Sequence, residues 1–117
     1  MKLLLTSALG ILLAHGQAAP PHWYYMIEFP PPEVPHIPMA GVFVQLLAPA
    51  NEATVCVSYT NANGPQTKCQ DAQLDQGGMA VVMWLGVTPA DYSVTAIDVT
   101  ADGATSHVDN PVLGQDY

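Results

Sequence analysis

Residues 53–71 read ATVCVSYTNANGPQTKCQD, and the way this stretch pairs with itself decides the fold class. Val55, Val57 and Tyr59 alternate with Thr54, Cys56 and Ser58, the period of a strand with one buried face, so the valines and tyrosine face inward. Two turns compete. If Ala62 and Asn63 form a two-residue loop, Asn61 pairs with Gly64, Thr60 with Pro65 and Cys56 with Cys69, and the last two pairs are non-hydrogen-bonded. That register spares Pro65 a ladder bond it has no N–H to make, and it lets the cysteines approach closely enough for a cross-strand disulfide. With Asn63 and Gly64 as the turn, the local hairpin signal is stronger but Pro65 falls in a bonding pair. The first register is preferred. It places Gln66, Lys68 and Gln70 on the inward side, which requires either an edge strand or a partly different pairing.

Outward from this hairpin the chain continues in short β-type runs separated by turn residues: GVFVQLLAP before it, then GMAVVMWLGV, DYSVTAIDVT and ATSHVDNPVL after it. No sustained 3.6-residue period interrupts them, so the expectation is an all-β fold, a single antiparallel sandwich over residues 41–117. Asp102 and Gly103 suit a type I′ turn, which sets Ile97 across from Val108 and Asp98 across from His107. That carboxylate–imidazole pair reads as a solvated cross-strand pair; a raised histidine pKa or weak metal binding is the sharper reading. Between residues 92 and 99 the apolar face switches from Tyr92, Val94 and Ala96 to Ile97 and Val99, which a bulge near Thr95 explains.

The segment GGMAVVMWLGVTPADYSVTAIDV, residues 77–99, resembles the late strands of extracellular immunoglobulin-like sandwiches, including fibronectin type III and carboxypeptidase regulatory-like domains. The matching residues are Leu85, Pro89, Ala90, Asp91 and Tyr92, then Val94 and Ala96. The resemblance implies an immunoglobulin-like sandwich and a Tyr92 hydroxyl tied to nearby backbone as a tyrosine corner. It is specific for fold and silent on function. The cysteines lie thirteen positions apart with no tryptophan between them, unlike those of antibody domains.

The opening MKLLLTSALGILLAHGQAAP has one lysine, an apolar run from Leu3 to Ala14, and small residues at 16 and 18, the layout of a signal peptide over residues 1–18. The run is shorter than the roughly 20 residues of a membrane-spanning helix, so no membrane span is expected. The expected location is secreted or extracellular, periplasmic for a bacterial chain that is not released. A disulfide between Cys56 and Cys69 fits that compartment. Of the two basic side chains only Lys68 lies beyond residue 18, against 10 carboxylates, which argues against nucleic acid as a partner. Half the residues are hydrophobic and a tenth charged, so the acidity does not signal disorder.

Residues 19–40 form a proline-rich arm. Trp23, Tyr24, Tyr25, Met26, Ile27 and Phe29 crowd an expected strand at 22–29, and PPPEVPHIP follows as a stiff spacer of roughly 25 to 30 Å at about 3.1 Å per residue. Meanwhile Val42, Val44 and Leu46 alternate with Phe43 and Leu47, and Met79, Val81, Met83 and Leu85 with Val82 and Trp84, leaving apolar residues on both faces. The arm either returns as the first strand of its own sandwich or completes a neighbour's sheet, and the stiff spacer favours the neighbour. The expectation is therefore a non-enzymatic subunit that self-assembles head-to-tail into a pilus-like filament. Trp23, Tyr24, Tyr25, Ile27 and Phe29 would be donated, and Phe43, Leu47, Val82 and Trp84 would be candidates for the accepting surface. The rival is a monomeric binding module for carbohydrate or a cell-surface protein. No catalytic constellation, metal-ligand spacing or cofactor motif stands out.

Overall fold

The computed structural model describes residues 19–28, 39–75 and 77–117. The signal-peptide reading, Phe29 and the spacer 30–38 lie outside the described residues. The described chain forms β1 (Trp23–Glu28), β2 (Ala40–Leu46), β3 (Ala53–Asn61), β4 (Gly64–Asp71), β5 (Gln73–Asp75), β6 (Gly78–Gly86), β7 (Ser93–Ala101), β8 (Ala104–Asp109) and β9 (Gln115–Asp116), with one 3₁₀ turn at Pro89–Asp91. One antiparallel sheet runs β5-β6-β2-β1-β9 and the other β4-β3-β7-β8. The fold is an all-β sandwich of two antiparallel sheets.

Each central strand buries alternate residues. Val42 and Val44 of β2, Val81 and Met83 of β6, Val55 and Val57 of β3, and Ile97 and Val99 of β7 are all essentially inaccessible and form one core. Trp23 joins them. Its ring is wholly buried, its Nε1 donates to Ser106 Oγ on the opposite sheet at 3.0 Å, and Tyr117 lies 5.0 Å away between ring centroids. A buried indole needs such a partner for its N–H, and Ser106 supplies it.

The hairpin register follows the proline argument: Asn61 pairs with Gly64, Thr60 with Pro65, and Cys56 with Cys69, which form the disulfide. Gly64 has φ of +99°, a conformation glycine takes without a Cβ clash. β4 is an edge strand, as its polar inward positions require. At the other hairpin Asp102 and Gly103 both have positive φ, as a type I′ turn demands, and Asp98 faces His107. The β3–β7 ladder skips Thr95: Ser58 pairs with Ala96 and Tyr59 with Val94. The bulge lets both apolar sets of β7 turn toward the core.

The tyrosine-corner expectation needs correction. Asp91 Oδ2 accepts the backbone N–H groups of Val87 and Thr88 at 3.0 and 2.8 Å, which folds the β6–β7 corner tightly. Tyr92 then extends across the sandwich, and its hydroxyl donates to Gly41 O on β2 at 3.2 Å, not to nearby backbone. Gly41 is required where it stands, because a Cβ there would overlap the Met83 carbonyl of β6. The Tyr92 bond links the two sheets.

Candidate functional site

β1 is where the arm's aromatic residues and the apolar excess of the sandwich meet. It pairs with β2 over six residues, from Trp23 opposite Leu46 to Glu28 opposite Gly41. Its other edge is taken by β9, with Tyr24 opposite Asp116 and Tyr25 opposite Gln115. Trp23 and Tyr117 exchange both backbone bonds, at 3.0 and 2.8 Å, and His22 O accepts from Leu47 N at 2.9 Å. The strand is held on both flanks.

Alternation divides the arm's residues. Trp23 and Tyr25 enter the core, Ile27 is half-buried on the same side, and Tyr24 and Met26 turn to the outer face. Burial pushes the Tyr25 phenol up to about 12, with Tyr92 and Tyr117 nearby adding to the shift. Tyr92 is likewise raised by burial.

The residues expected to accept a strand gather on that outer face. Register places Met26, Phe43 and Val82 in one row across three strands, with Trp84 in the next row over Gly41 and Tyr24 two positions away on β1. Phe43, Val82 and Trp84 are half-buried, whereas Leu47, just past β2, is 51 % exposed. The result is an apolar strip on the outside of one sheet, with Glu28 in the row of Trp84 and Gln45 opposite Tyr24 at its borders. Phe29 lies outside the described residues.

One edge of the strip is guarded in a way sequence reasoning missed. β5 covers only Gly78–Ala80 of β6. Farther along, Lys68 Nζ donates to Trp84 O at 3.2 Å and Gln70 Nε2 to Val82 O at 3.3 Å. The polar inward positions of β4 thus occupy carbonyls that an added strand would otherwise use. No spacing in the sequence announces a contact between edges of different sheets.

The outer face of the second sheet differs. Thr54, Thr100 and Thr105 lie in one row and Cys69, Cys56, Asp98 and His107 in the next. His107 Nδ1 is 2.5 Å from Asp98 Oδ1 and Nε2 is 2.8 Å from Asp109 Oδ1, and these bonds raise its pKa above the ordinary 6.5. Asp102 is not part of this group: its carboxylate caps the N–H groups of Asn51 and Glu52. Among the described residues no group of three or more His, Cys, Asp or Glu side chains has the geometry to hold a metal ion, and none of their helices is long and apolar enough to cross a membrane.

Comparison with protein-family models, curated proteins and solved structures finds no match.

Proposed function

We propose that the chain is a non-enzymatic, secreted structural subunit that assembles head-to-tail into an extracellular filament by placing β1 in the sheet of a neighbouring copy. One observation carries this reading. β1 and β2 are hydrogen-bonded antiparallel neighbours, which two residues suffice to join, yet residues 29–39 stand between them and five of these are proline. A proline-rich chain of that length reaches roughly 30 to 35 Å at about 3.1 Å per residue. β1 delivered to another copy would bury Trp23 and Tyr25 and pair with β2 and β9 in the same register, so exchange forfeits no contact. The strand order supports an immunoglobulin-like assignment of the sandwich: β1-β2-β6-β5 facing β4-β3-β7-β8 corresponds to strands A, B, E and D against C′, C, F and G.

A second reading, a secreted module that binds carbohydrate or protein, draws on the outer strip of Met26, Phe43, Val82 and Trp84. Light scattering across a hundredfold concentration range, with negative-stain microscopy, tests the first. Open-ended oligomers are expected. Replacing residues 29–38 by Asn-Gly leaves a four-residue loop that closes the hairpin within one chain and cannot reach another; it should give a folded monomer. A wild-type chain that stays monomeric throughout would sink exchange and leave the binding module.

A further inference from the structure

Three tyrosine hydroxyls lie close together on the β1 flank of the sandwich, and two of them are satisfied. Tyr92 donates to Gly41 O, and the Tyr117 hydroxyl accepts from Val112 N at 2.7 Å. The third belongs to Tyr25, a residue only 4 % exposed, whose hydroxyl has no hydrogen-bond partner among the described residues. A donor of this kind, in a residue so largely buried and without a protein acceptor, asks for a partner from outside the chain.

Tyr25 lines a cleft of about 380 Å³. Ile27 and Val42 come to it from one sheet, Tyr92 and Val94 from the other, and the segment 111–113 forms its rim. That rim is a built feature. Asn110 N donates to Thr95 O at 2.8 Å, Gly114 N to Tyr25 O at 2.6 Å, and Val112 N to the Tyr117 hydroxyl. Val112 and Leu113 nonetheless remain 58 % and 49 % exposed. The described residues that line it contribute aliphatic, aromatic and proline side chains, with no charged group among them.

We propose that this cleft binds a neutral, mainly apolar small molecule carrying one hydrogen-bond acceptor, which accepts a hydrogen bond from the Tyr25 hydroxyl. The volume lies within the range of about 300 to 1,000 Å³ typical of small-molecule sites, and such sites combine apolar walls with few polar groups. A peptide strand is the wrong occupant, because β9 and Gly114 already take the backbone edge of β1 at Tyr24 and Tyr25. An ion is wrong too, since none of the described lining residues compensates a charge. The site does not depend on whether β1 comes from the same chain or a neighbour, because the register places Tyr25 identically.

The test is a methyl-resolved NMR titration of the full chain with acetophenone and, separately, with isopropylbenzene, which replaces the carbonyl oxygen by a methyl group of similar size. Both should shift the methyls of Ile27, Val94, Val112 and Leu113. In Tyr25→Phe, which keeps the ring, acetophenone should bind about fivefold more weakly while isopropylbenzene is unaffected. Shifts confined to other parts of the molecule, no shifts at millimolar ligand, or an acetophenone affinity unchanged by Tyr25→Phe would each overturn the proposal.

Discussion

The two sheets present similar valine-, isoleucine- and methionine-rich faces to each other and opposite faces to the surroundings. Outside β3, β7 and β8 stand threonines, a disulfide, and a histidine between two carboxylates. Outside β1, β2 and β6 stand Tyr24, Met26, Phe43, Val82 and Trp84. The first face completes its own polar contacts, with Thr100 and Thr105 bonded side chain to side chain at 2.8 Å and His107 bonded at both nitrogens. The second offers the apolar area of Met26, Phe43, Val82 and Trp84, bordered by Glu28, Gln45 and Asp116. A shared core therefore says little about what each sheet meets beyond it, and the apolar side is where partners are to be sought.

The most severe way to break the comparison is to remove what joins the sheets. Trp23→Ala deletes the largest fully buried ring and orphans Ser106, and urea unfolding should show a loss of about 3 to 5 kcal/mol. A loss confined to one sheet, seen as partial protection in hydrogen exchange, would show that the core is not single. Next comes the staple of the polar face. Replacing Cys56 and Cys69 together by serine should cost about 2 to 3 kcal/mol by the same measurement. Its small effect, if found, would mean that β4 is held mainly by its ladder with β3 and by the Lys68 and Gln70 bonds to β6.

Exchanging the character of the faces sharpens the contrast further. Phe43→Thr with Trp84→Thr should change stability by only about 1 kcal/mol, because both side chains are half-exposed, while abolishing binding of an apolar fluorescent dye to the native protein. The gentlest probe is pH. Asp98 and then Asp109 hold His107 above its ordinary 6.5, so its stabilising contribution is fully present below about 6.5 and fades as pH rises through the raised folded value. His107→Gln should flatten the thermal-unfolding midpoint between pH 6 and 8 relative to wild type, by an amount that shrinks with added salt.

What was legible in the sequence was local. Pro65 lacks an N–H, and this fixed the β3–β4 register through to Cys56 and Cys69; the slip after Ala96 located the bulge; Asp102–Gly103 announced its own turn. The β1 strand was legible as a strand, but not its host, because backbone bonding is the same in either chain. The contacts that shape the flanks were not legible. Tyr92 reaching Gly41, Lys68 reaching Trp84 and Tyr117 closing over Trp23 each join segments from distant parts of the chain, and no periodicity or turn chemistry encodes such meetings.

The pairing of β1 with β9, far later in the sequence, also sets a timetable. His22 is bonded to Tyr117, 95 positions away, and Trp23 exchanges backbone bonds with the same residue. A chain made from its N-terminus exposes the β1 aromatics before β2 to β8 and obtains the partner for their outer flank only after them. Throughout that interval the strand has at most one neighbour, and long-range closures of this kind are slow compared with hairpin formation. The order of synthesis thus leaves the outer edge of β1 open until the last of the described strands has been made.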